Sequence, residues 1–140
     1  MTTTGLEVFD TTVQRTNIWL NEIAAQIGPD RQRAYHVLRA VLHALRDRLT
    51  PDEAAHLSAQ LPMLVRGLFF EGWHPAHKPD KDRSEEDFLH RVRAGMTGIQ
   101  PINAEAAATA VFRVVARHVT PGESAHVRDM LPKEVRRLWP

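Results

Sequence analysis

Thr50-Pro51-Asp52-Glu53-Ala54-Ala55-His56 returns 70 positions later as Thr120-Pro121-Gly122-Glu123-Ser124-Ala125-His126, and this doubled string decides the fold. The correspondence continues through Leu61-Pro62 and Leu131-Pro132, Arg66 and Arg136, and Leu68 and Leu138. Self-similarity at a fixed period marks a supersecondary unit used twice. Each copy opens with three helix-start signals: a threonine able to accept N–H groups, a proline suited to the first turn, and a glutamate placed for a capping box. A lost cap of this kind costs about 1 kcal/mol, so the repeated residues read as helix punctuation rather than as a reaction centre.

Working outward, Phe9, Val13, Leu20, Ile23 and Ile27 recur at helical spacing and predict a helix over 9–27, closed by Gly28-Pro29. Asp30 caps a second helix whose stripe is Val37, Leu38, Val41, Leu42, Leu45 and Leu49. Two short helices follow Thr50, divided at Leu61-Pro62, because proline removes a donor and clashes with the preceding turn. The stretch from Trp73 to Arg83 holds two prolines and a run of charge, and reads as a mobile linker. After the Ser84 cap, Phe88, Leu89, Val92 and Met96 reproduce Trp19, Leu20, Ile23 and Ile27 at an offset of 69. Gly95, Gly98 and Pro101 predict a loop, and Asn103 caps a helix carrying Ala107, Val111, Val114 and Val115. The expected architecture is all-α, with about eight helices in two four-helix repeats packed as one compact domain. Its expected boundaries are 1–72 for the first repeat, 73–83 for the linker and 84–140 for the second.

This string of motifs gives the chain a family likeness. Leu49-Thr50-Pro51-Asp52-Glu53-Ala54-Ala55-His56-Leu57, Ala59-Gln60-Leu61-Pro62, Arg66-Gly67 and Glu71-Gly72-Trp73 resemble a bacterial family known as domain of unknown function 2267. The second half, from Val119 through Leu131-Pro132 and Arg136, is similar to that family's repeat of itself. The resemblance implies an all-helical, internally duplicated fold and brings no activity, substrate or cofactor with it.

Composition narrows the function classes. At 140 residues the chain can bury a core without metal or disulfide staples. The absence of cysteine excludes disulfides, thiolate metal sites and a cysteine nucleophile together. With 18 basic residues against 17 acidic ones, there is little electrostatic reason to expect nucleic acid or a membrane as partner. The opening Met1-Thr2-Thr3-Thr4-Gly5-Leu6-Glu7 lacks the basic stretch and apolar run of a secretory leader, and a cytoplasmic protein is expected. No phosphate loop, His-Glu-x-x-His string or nucleophile elbow is present, so an enzyme is not the expected reading, and no cofactor is expected.

The remaining candidates are pairs and clusters. His56 and His126, each three residues after a glutamate, would offer imidazole and carboxylate ligands to a metal if the repeats converge. The competing reading makes each His–Glu pair a one-turn neighbour on its own helix. His74 and His77, near Asp80 and Asp82, form a weaker metal candidate in the linker. Arg66 and Arg136 are expected to pair with Glu53 and Glu123 of their own repeats. Arg31, Arg33, Arg39, Arg46 and Arg48 could form a basic stripe, but acidic neighbours and a lack of interleaved aromatics argue against nucleic acid. His36, His43, Arg39 and Arg46 read as a solvated face of the second helix.

Phe70, Trp73 and Trp139 are the candidate hydrophobic anchors for a protein partner or a second copy, with Arg66 and Arg136 as polar orienters. A non-enzymatic interaction module is therefore the leading expectation. A metal- or small-ligand-binding protein using His, Glu and Asp between the repeats is the alternative.

Overall fold

Side-chain caps set most of the helix starts, and prolines and glycines set the breaks. The computed structural model describes residues 4–140 and contains α1 (Glu7–Ile27), α2 (Arg31–Arg46), α3 (Pro51–Ser58), α4 (Met63–Phe70), α5 (Glu85–Ala94), α6 (Ala104–His118) and α7 (Pro121–Met130). A short 3-10 turn, Arg136–Leu138, follows, and no strand occurs among the described residues. Residues 1–3, on which the leader reading partly rests, lie outside the described residues.

Asp30 accepts the N–H groups of Gln32 and Arg33 at the start of α2. Ser84 accepts from Asp87, and Asn103 from Ala106. Thr50 and Glu53 form a complete capping box at α3. These are the positions that the sequence marks.

The expected eighth helix is the first correction. Residues 133–140 form turns and a 3-10 segment where their first-half counterparts form α4. Pro140 takes the place of Phe70, and a residue preceding proline is pushed out of the α region. Trp139 accordingly sits in extended backbone at φ −83° and ψ 136°. Phe9 is the second: it is exposed, while Asp10 and Thr12 of the same helix start are the buried residues.

α2 occupies the centre, packed against α1, α4, α5 and α6. Buried residues from both halves belong to one apolar cluster, running from Trp19, Ile23, Leu38 and Leu42 to Phe88, Phe112, Val115 and Trp139. Each such side chain contributes about 1.5–3 kcal/mol when fully buried. The rings of Phe88, Phe112 and Trp139 form a chain with centroid separations of 5.8 and 4.9 Å. Gly95 opens the turn after α5, as its sequence position predicts, and also serves this packing. A Cβ built there would stand 2.8 Å from the Cβ of Ala40, so the end of α5 can lie directly on α2 only without a side chain.

The segment between α4 and α5 is anchored, contrary to the mobile linker expected. Arg48, a buried side chain just beyond α2, donates two hydrogen bonds to the Asp82 carboxylate, at 2.6 and 2.5 Å. Arg91 adds a further bond to Asp82 at 3.0 Å, and the Asp80 N–H donates to the Asp47 carbonyl at 2.8 Å. Lys78 closes the group with a 3.0 Å contact to Asp80. The Arg48 guanidinium holds the Asp82 carboxyl well below the usual carboxylate range, outweighing the effect of partial burial. Removing one member of such a pair strands the other charge in a dry site. Asp82→Asn is therefore expected to lower the free energy of unfolding by about 3 kcal/mol in a denaturant titration. A loss under about 0.5 kcal/mol, ordinary for a surface change, would show that the clamp does not matter.

Candidate functional site

Two places gather the side chains of interest: the contact between α3 and α7, and the outer face of α4 beside the start of α1. At the first, His56 Nδ1 lies 2.9 Å from Glu123 Oε1, although the residues are 67 positions apart. The His56 and His126 rings meet edge to face with centroids 6.3 Å apart. The two histidines thus come together, and His56 takes the glutamate of the other half instead of Glu53.

A difference in capping explains this exchange. At α3, Thr50 Oγ1 accepts the Glu53 N–H while Glu53 Oε1 accepts the Thr50 N–H at 2.8 Å. At α7, Thr120 Oγ1 accepts the Glu123 N–H, but the Thr120 N–H goes to Oε1 of Gln60, also at 2.8 Å. Gln60 from the first half completes the second cap, and Glu123 is released to face His56. The sequence predicts two equivalent boxes; the structure holds one local box and one assembled across the contact.

The Glu123 side chain is 2% exposed and that of His56 69%. Oε2 of Glu123 is buried with no hydrogen-bond partner among the described residues. Asp52, Glu53, His56, Glu123 and His126 line a hollow of about 530 Å³. No group of three or more His, Asp or Glu side chains placed to hold a metal ion occurs among the described residues. His74 and His77 are exposed and belong to no such group.

The second place is built around α4, which is held at both ends. Its N-cap, Pro62, offers no side-chain acceptor, and Thr12 of α1 supplies one instead, taking the Leu64 N–H at 3.1 Å. At its C-terminus, buried Arg46 donates to the carbonyls of Phe69 and Glu71 at 2.9 and 2.8 Å. His43 Nε2 donates to the Leu68 carbonyl at 2.8 Å. Arg39 binds the Glu71 carboxylate at 2.6 Å. Three of the four residues of the expected solvated face of α2, His43, Arg39 and Arg46, therefore clamp the end of α4, because unpaired C-terminal carbonyls and the nearby Glu71 carboxylate attract these donors.

Arg66 also departs from expectation. Its Nε donates to the Ser58 carbonyl at 2.9 Å and its Nη2 to the Leu61 carbonyl at 3.2 Å, closing the end of α3. Arg136 repeats the arrangement on the Leu131 and Asp129 carbonyls, at 3.0 and 2.9 Å. Neither arginine pairs with Glu53 or Glu123, whose carboxylates are engaged elsewhere. The candidate basic stripe, disfavoured by its acidic neighbours, is likewise committed inside the chain. Arg31 binds Asn17 and Asn21, and Arg33 binds the Ile27 and Pro101 carbonyls. Arg39, Arg46 and Arg48 are committed as described.

Of the aromatic anchors, Phe70 and Trp73 lie partly buried with ring centroids 4.9 Å apart. Trp139 is buried, and its Nε1–H donates to Ser124 Oγ at 2.9 Å, so it serves the core rather than the surface. What sequence reasoning missed is the outward side of α4 itself. Met63 and Leu64 are 45% and 50% exposed. Met63 stands beside Val8 in a groove of about 480 Å³, bordered by Arg15 and Arg66. The signal was present in the repeat: the matching second-half residues are Lys133 and Glu134.

An all-helical scaffold with these two surfaces, and no helix long and apolar enough to cross a membrane among the described residues, defines the class. The chain belongs to the family described as uncharacterized conserved protein (DUF2267), whose model matches residues 16–138. None of the curated proteins compared with the chain matches it.

The clamp on α4 has a pH signature. Burial, the largest influence, pushes the His43 imidazole below its ordinary pKa of 6.5, against the opposing effect of its bond to Leu68. The unfolded chain therefore takes up this proton more readily than the folded one. His43 costs no stability above about pH 6.5 and an increasing amount as pH falls through that value toward its folded pKa. His43→Gln is expected to reduce the fall in melting temperature between neutral and mildly acidic pH. An unchanged fall would remove His43 from the acid response.

Proposed function

We propose that the chain is a non-enzymatic interaction module. Its binding surface is the outer face of α4 with the adjoining start of α1. The observation that carries this reading is the exposed apolar pair Met63 and Leu64, with Met63 lining a groove shared with exposed Val8. Clustered exposed apolar side chains on a monomer mark contact sites. Arg66 and Phe70 follow Met63 at helical spacing along α4, and Trp73 packs on Phe70, so three of the sequence-derived candidates lie along the same strip. Arg136 occupies the equivalent place in the other half, beside charged Lys133 and Glu134.

We read the two halves, 1–72 and 84–140 around 73–83, as copies of one four-helix unit. The matched threonine caps, proline breaks and arginine-to-carbonyl bonds support this. On that reading the copies kept their internal joints and diverged at the surface, with one α4 position pair remaining apolar. The protein acts in the cytoplasm, in keeping with a chain without cysteine.

The test replaces the apolar pair with the residues of the second half, Met63→Lys and Leu64→Glu. Both positions are exposed, so stability should change by less than about 0.5 kcal/mol. Polypeptides captured from native lysate by the parent chain should be lost with the double variant. Identical capture by both would overturn the proposed surface.

A second reading makes the α3–α7 hollow a small-ligand site. The buried Glu123 carboxylate, with one oxygen unpartnered beside two imidazoles, favours it. Its metal form predicts that zinc chloride raises the melting temperature of untagged protein and that EDTA reverses the rise, since occupancy stabilises by mass action. A melting curve indifferent to both would remove the metal form.

A further inference from the structure

The outward stripe of α1 carries Glu7, Val8, Thr11, Arg15 and Ile18, at spacings of three and four that place them along one side of the helix. Val8 and Ile18 are exposed apolar residues. Two grooves open along this stripe and share Arg15 and Pro62. The first is bounded by Val8, Thr11 and Met63; the second, of about 380 Å³, by Ile18, Trp19 and His118. Together they make a furrow about three helical turns long, roughly 16 Å from Glu7 to Ile18.

Arg66, which also lines the furrow, is committed to the Ser58 and Leu61 carbonyls. Among the described residues, neither Glu7 nor Arg15 has an ion-pair or hydrogen-bond partner. They cannot reach each other, being about 12 Å apart along the helix axis. Their order is what points to an occupant: acid near the N-terminus, small Thr11 in the middle, base beyond it, and an apolar residue towards each end.

From this order we infer that the furrow is the site of self-association, with α1 of one copy lying antiparallel on α1 of a second copy. A two-fold axis beside Thr11 sets Glu7 of each copy opposite Arg15 of the other and brings Ile18 towards the other copy's helix start. A two-fold interface is self-complementary in this sense: if residue i meets residue j, then j meets i. A parallel arrangement would set Glu7 on Glu7 and Arg15 on Arg15, which like-charge repulsion disfavours. Thr11 at the crossing lets the helices approach, and Val8, Ile18 and Met63 supply the apolar area. The inference rests on the reading of the α1–α4 side as the binding surface, and names its partner as a second copy of the chain.

Sedimentation equilibrium over a wide concentration series tests it on the full chain. The parent protein should dimerise, and Glu7→Arg and Arg15→Glu should each weaken dimerisation by about tenfold, since every single change spoils two symmetry-related pairs. The double swap, Glu7→Arg with Arg15→Glu, should restore dimerisation to near the parent value. Glu7→Gln gives a milder check, a loss without repulsion, and circular dichroism confirms that each variant folds. A parent chain that stays monomeric, or a dimer indifferent to the single swaps, would overturn self-association. So would a double swap that remains as weak as the single ones. The Met63→Lys, Leu64→Glu capture experiment still decides the wider module reading if self-association fails, so the two failures are distinguishable.

Discussion

Two arginines are buried where α2 ends, and this constraint organises the molecule. Neither Arg46 nor Arg48 can reach bulk water freely, so each must find acceptors inside the fold. Arg46 finds the carbonyls at the end of α4, and Arg48, just beyond the helix, finds the Asp82 carboxylate. A guanidinium suits both tasks because its donors form a rigid planar fork. The desolvation cost of these cations is thereby offset by bonds that fix two otherwise independent elements, the last turn of α4 and the segment leading into α5.

The same economy shapes the surface. Once α4 is tied at its start by Thr12 and at its end by Arg46 and His43, its orientation no longer depends on what lies against its outer side. Its apolar residues can then remain uncovered without loss of helix geometry. A rigid face of this kind forms contacts at lower entropic cost than one that must first be ordered. The basic residues elsewhere on α2 play no comparable outward role, since their guanidiniums are bonded to acceptors within the chain.

The sequence made local features legible and left long-range ones hidden. Thr50, Asp30, Ser84 and Asn103 cap where their spacing predicts, because a cap is decided by residues three positions apart. The Leu61-Pro62 break follows from proline chemistry alone. Arg66 could not be assigned its acceptor from sequence, because carbonyls at a helix end leave no mark on residue identity. Burial of Arg46 and Arg48 was equally hidden, since the arginines of α2 fall on several sides of a helix whose neighbours are set by the whole fold. The meeting of Glu123 with His56 had no local signal, and Glu53 three residues away was the nearer choice. The exposed Met63-Leu64 pair was readable only by contrast with Lys133-Glu134.

The borrowed cap at α7 carries a consequence for how that helix start is specified. Gln60 finishes a helix start that Thr120 alone leaves incomplete. The first turn of α7 is therefore capped in this way only with the end of α3 lying beside it, so the start of the last long helix is written partly in the other half of the polypeptide.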